Sequence, residues 1–124
     1  LFERSGFVMT TIEIVKDQKG AYRQIICMGH AGYAKKHLFH KEPDILCSAI
    51  STLMISTLNS LEELGREKFE TKTNEETGFI RVDFPESEIL QEKSVFLLDC
   101  LVNSLKDLSK EYGEQYLQVK IKEV

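Results

Sequence analysis

The sequence predicts an α+β fold, a β-β-α-β-β-α-β chain whose mixed, mainly antiparallel sheet carries two long helices packed on one face. Short β-branched segments of alternating polarity recur along the chain. Between them lie two long stretches with apolar residues at three- and four-residue steps. Glycine, asparagine and aspartate punctuate the joints. Two amphipathic helices and a set of half-apolar strands bury their faces most simply as a two-layer sandwich.

Met9 to Val15 (MTTIEIV) is the first expected strand, and Asp17-Gln18-Lys19-Gly20 the turn after it. Tyr22 to Met28 (YRQIICM) is the second, antiparallel to the first. Gly29-His30-Ala31-Gly32 ends it abruptly; two glycines in four residues permit a sharp turn and close approach of another segment. Residues 33 to 43 read as a loop closed by Pro43. Asp44 is the expected N-cap of a helix opening at Ile45. Leu46, Ile50, Leu53, Met54, Leu58, Leu61 and Leu64 form its core-facing stripe, and Gly65 is the expected left-handed cap. Phe69 to Thr73 and Phe79 to Phe84 are two more strands, joined through Asn74 to Gly78 as a hairpin. Ser87 is the expected cap of the second helix, with a stripe of Leu90, Leu97, Leu98, Leu101, Leu105 and Leu108, ended by Gly113. Gln115 to Ile121 alternates as the last strand.

At 124 residues the chain is the size of one domain, and its 42% apolar and 29% charged composition is that of a globular protein. The domain is expected over 9–124; Met9 is a candidate natural start, which would make residues 1–8 an appended extension. A net charge of −4 without a long basic run argues against direct nucleic-acid binding. Lys35, Lys36 and Lys41 around His37 and His40 make only a local patch. The apolar stretch from Ile45 to Leu64 contains serines, threonines, Asn59, Glu62 and Glu63, so no membrane association is expected. Three cysteines, at 27, 47 and 100, do not make a disulfide framework; reduced thiols point to a cytoplasmic protein.

Cys47 falls in the first turn of the expected helix, where backbone N–H groups and the helix dipole favour a thiolate. Cysteine is also a common core filler, and that is the reading for Cys27 and Cys100 among their apolar neighbours. His30 stands at a strand end before a loop that leads back to the helix start, a route that can bring it beside Cys47 as general base. Ser51, one turn beyond Cys47, faces the same side. Asp44 can orient a backbone N–H or the histidine, though its charge would oppose a thiolate if it pointed at the sulfur. A zinc-binding regulator built on Cys27, His30, His37, His40 and Cys47 is an alternative, weakened by the lack of a Cys-x-x-Cys pair. No metal and no cofactor is expected.

The two segments Gly29-His30-Ala31-Gly32-Tyr33-Ala34 and Asp44-Ile45-Leu46-Cys47-Ser48-Ala49-Ile50-Ser51 together closely resemble the ribosomal-processing cysteine protease Prp (YsxB-like) family, and Thr57-Leu58-Asn59-Ser60-Leu61-Glu62 resembles its continuation of the helix. The resemblance runs from Met9 through nearly the whole chain. It implies a homodimeric endopeptidase that removes the N-terminal extension of a large-subunit ribosomal protein, cutting after an aromatic residue in a hydrophobic segment. It further implies Cys47 as nucleophile, His30 as its base, Ser51 and Asp44 as supporting residues, and a loop between His30 and Cys47 that is mobile until substrate binds. That stretch is longer here than the family's usual loop and carries His37, Phe39, His40 and Pro43. In the expected mechanism, Gly29 or Ala31 amides assist the oxyanion site. The loop from Gly32 and Tyr33 to Pro43 covers the peptide, with Leu38 and Phe39 lining an aromatic-accepting pocket. A non-catalytic module that holds a ribosomal-protein tail without cutting it is the competing class.

Overall fold

The computed structural model describes residues 9–29 and 45–124. Their elements are β1 (Thr10–Lys16), β2 (Tyr22–Met28), α1 (Ile45–Glu63), β3 (Glu70–Asn74), β4 (Phe79–Asp83), α2 (Glu92–Tyr112) and β5 (Leu117–Glu123). The expected order of strands and helices is the observed one.

The five strands form one sheet in the order β3-β4-β2-β1-β5. Only β1 and β5 run parallel; β1–β2, β2–β4 and β3–β4 are antiparallel. Alternation decides which face is covered. On β1, Thr10, Ile12 and Ile14 are buried, while Thr11, Glu13 and Val15 are half-buried. Ile12 pairs with Cys27 and Ile14 with Ile25, and these pair in turn with Ile80 and Val82. This row meets Leu46, Ile50, Met54 and Leu61 of α1 and Leu98, Leu101 and Leu105 of α2 in one core. The opposite face is held by polar pairs, including Lys122 to Glu13 at 3.1 Å and Gln24 to Asp83 at 2.7 Å.

By length and composition α1 also falls in the range of a membrane span. One stripe of it packs on the sheet, with Leu46, Met54 and Leu61 fully buried.

The first turn forms as expected: the Asp17 carboxylate accepts from the Lys19 and Ala21 backbone N–H groups, fixing an Asx-type turn. Three expectations are corrected. Gly65 is not the left-handed cap; Arg66 takes the positive φ of 54°. Glycine is required at 65 because an added Cβ would lie 2.8 Å from the Leu61 carbonyl oxygen and 2.9 Å from the Ser94 hydroxyl. The chain's own helix end, through Leu61, and the neighbouring second helix, through Ser94, together exclude a side chain there. Leu64, placed in the core stripe, is 74% exposed just past the helix end. The second helix is capped by Gln91 rather than Ser87. The Gln91 side chain donates to the Gly65 carbonyl at 2.6 Å and its backbone N–H to Glu67 at 3.0 Å. This tie fixes the helix start beside the end of α1 and leaves Leu90 ahead of it. At the far end Gly113, with φ 108°, closes α2 as expected.

Candidate active site

A cavity of about 480 Å³ lies between α1 and the outer strands β3 and β4. The helix supplies Cys47, Ser51, Ile55, Asn59 and Glu62, whose spacing puts them on one side of α1. The floor is the helix-facing side of the sheet. Thr71 pairs with Val82 and Thr73 with Ile80, so both threonines share the face of Cys27 and Ile25. Since β3 is an edge strand beyond the cover of either helix stripe, that part of the face stays open. Phe69, packed on Phe84 with ring centroids 5.8 Å apart, bounds one end. Thr10 and Gly29 bound the other.

Cys47 is the third residue of α1 and half-buried, with part of its side chain open to this cavity. The helix dipole places partial positive charge at this end, which favours an anion there. Gly29 is built for its place. Its φ is +84°, and a Cβ there would stand 2.6 Å from the Met9 carbonyl oxygen. The buried Thr10 hydroxyl donates to its carbonyl at 3.3 Å. The chain therefore leaves β2 at a defined point beside the cavity, with residue 30 next in sequence.

Beneath the helix start lies Cys27, only 3% exposed. Burial pushes its thiol up to about 12, and charge on the neighbouring Cys47 adds to the rise. It is held as a neutral thiol, the core filler expected. Cys100 is not: it points outward from α2 and is exposed, one residue off the buried stripe of Leu98, Leu101 and Leu105.

The structure thus brings together Cys47, Ser51 and Gly29 from the expected site. His30, Ala31, Gly32, Tyr33, Leu38, Phe39 and Asp44 lie outside the described residues, as do His37 and His40 of the zinc alternative. Among the described residues no group of three or more metal-binding side chains converges. Sequence reasoning missed the opposite wall, formed by Phe69, Thr71, Thr73 and Ile80. On α1 the four-residue step from Cys47 and Ser51 continues for two more turns, to Ile55 and Asn59, which also line the cavity.

The family described as cysteine protease Prp matches residues 9–117. The chain belongs to that family. The match spans the strand end at Gly29, the first turn of α1 and both walls of the cavity. Solved structures share the Prp fold. The essential ribosomal processing protease Prp of S. aureus, with a covalently linked product peptide, superposes with a TM-score of 0.79 at 19% identity, covering 92% of this chain and 100% of that one. The same protease with a substrate peptide gives 0.75 at 18% identity, with the same coverage. A Streptococcus mutans protein gives 0.78 at 22% identity, covering 95% and 97%. No curated sequence matches the chain significantly.

Proposed function

We propose that the protein is a cysteine endopeptidase that removes the N-terminal extension of a large-subunit ribosomal protein, with Cys47 as nucleophile and His30 as general base. The observation that carries this reading is the opening of Cys47, from the first turn of α1, onto a cavity bounded at the same end by Gly29, the residue before His30. A Prp structure that holds a covalently linked product peptide supports a covalent route.

His30 takes the proton of Cys47, and the sulfur attacks the scissile carbonyl carbon. The resulting oxyanion is met by N–H groups of the helix start, with Gly29 or Ala31 amides assisting. His30 returns the proton to the leaving amine as the C–N bond breaks. Water, deprotonated by His30, then hydrolyses the thioester and frees the thiol. Ser51 and Asp44 support the dyad, and residues 32 to 43, with Tyr33, Leu38 and Phe39, cover the bound peptide. The apolar cavity wall of Ile55, Leu58 and Phe69 suits a hydrophobic segment. The enzyme works as a homodimer in the cytoplasm.

Mass spectrometry of a peptide bearing the ribosomal-protein extension, after incubation with the protein, tests this. Two fragments, cut after an aromatic residue, are expected. An intact peptide that binds without cleavage would identify a binding module instead.

A further inference from the structure

We propose that Cys27 and Cys47 form a reversible disulfide when the protein meets a hydroperoxide, with Cys27 shielding the reactive sulfur from irreversible oxidation. The reactivity assigned to Cys47 rests on the function proposed above; the bond itself is read independently of peptide cleavage.

Two positions in the fold carry the inference. Cys27 is the penultimate residue of β2, paired with Ile12 on one side and Ile80 on the other, so it shares the face that the helices cover. Cys47 sits in the first turn of α1, over that face. Both line the same cavity, which is wide enough for a small oxidant. They are close enough for charge on one to disfavour charge on the other. The third cysteine, Cys100, is exposed on α2 and takes no part in lining the cavity.

The chemistry divides naturally between them. The Cys47 thiolate attacks one oxygen of hydrogen peroxide, the O–O bond breaks, and hydroxide leaves; sulfur has lost two electrons and become a sulfenic acid. The Cys27 sulfur then attacks the Cys47 sulfur. The S–O bond breaks, and the hydroxyl departs as water with the Cys27 proton. Cys27, 3% exposed and protonated at rest, is the slower of the two toward peroxide and gives up its proton only as the S–S bond forms beside the leaving hydroxyl. A small thiol reverses the bond by exchange through a mixed disulfide. Without Cys27, the sulfenic acid would persist and proceed to sulfinic acid, which thiols do not reduce.

The test is peroxide treatment of the full chain, followed by intact mass and non-reducing peptide mapping. Expected is a loss of about 2 Da, a single crosslink between the Cys27 and Cys47 peptides, and full reversal by dithiothreitol. In Cys27→Ala and Cys27→Val, Cys47 should instead gain about 32 Da that dithiothreitol does not remove. Should both variants fail to fold, the wild-type map decides alone. Sulfinic acid at Cys47 in the wild type with no 27–47 crosslink would overturn the proposal. A crosslink in a protein that cleaves no peptide would uphold it and overturn only the protease reading.

Discussion

The buried hydroxyl of Thr10, at the start of β1, donates to the carbonyl of Gly29 at 3.3 Å, just past the end of β2. This bond and the positive φ of Gly29 set where the chain leaves the sheet for the segment that holds His30. Gly29→Ala adds a methyl group 2.6 Å from the Met9 carbonyl oxygen in a backbone region that L-residues resist. A loss of about 1–3 kcal/mol is expected from the strained backbone alone. Urea denaturation measures that loss. Peptide cleavage should fall beyond it at temperatures where the variant remains folded, because His30 would be displaced.

The general base is tested by three substitutions. His30→Ala should lower kcat by roughly 10²–10⁴-fold. His37→Ala and His40→Ala should each stay near wild type in the same assay. If either carries the loss in place of His30, the base has been assigned to the wrong imidazole.

Ile55 is 51% exposed on the cavity side of α1, two turns beyond Cys47. Charging it should weaken peptide binding without touching Cys47. Ile55→Glu is therefore expected to raise KM for a hydrophobic peptide and leave kcat close to wild type, the signature of lost uniform binding. Denaturation should show little change, as expected for an exposed position.

Asp83 contributes to the acid response. Desolvation opposes its ionisation, but bonds from Gln24 at 2.7 Å and Arg81 at 3.0 Å outweigh it and hold the carboxyl below its ordinary 3.8. A depressed carboxyl contributes stability above 3.8 and loses it as pH falls through the lower folded value. Asp83→Asn should therefore lower stability at neutral pH and flatten the fall in stability below about pH 4. Thermal melts from pH 3 to 7 measure both, and an unchanged acid slope would deny the pair its role.

The order of elements was legible because periodicity reports local geometry, and both helices and all five strands declare theirs. Helix ends were less legible. Ser87 is a better cap by type than Gln91, yet the second helix starts where Gln91 reaches Gly65 and Glu67, contacts set by tertiary packing. Cys100 was misread as core because it has leucines on both sides in sequence, while the helical period turns it outward. Cys47, expected at the helix start, Ser51, one turn on, and Gly29, at the strand end, line one cavity. Phe69, Thr71 and Thr73 were not legible as part of it, since their place in the cavity depends on β3 pairing at the sheet edge, a long-range choice that no local pattern records.

The proposed chemistry begins at the sulfur of Cys47, and the cleavage rate of Cys47→Ala against wild type on the ribosomal-protein extension peptide tests it most directly. Activity should vanish while the melting temperature stays close to wild type, and Cys100→Ala, altered at an exposed site, should cleave normally. Cleavage at an undiminished rate by Cys47→Ala would contradict that chemistry.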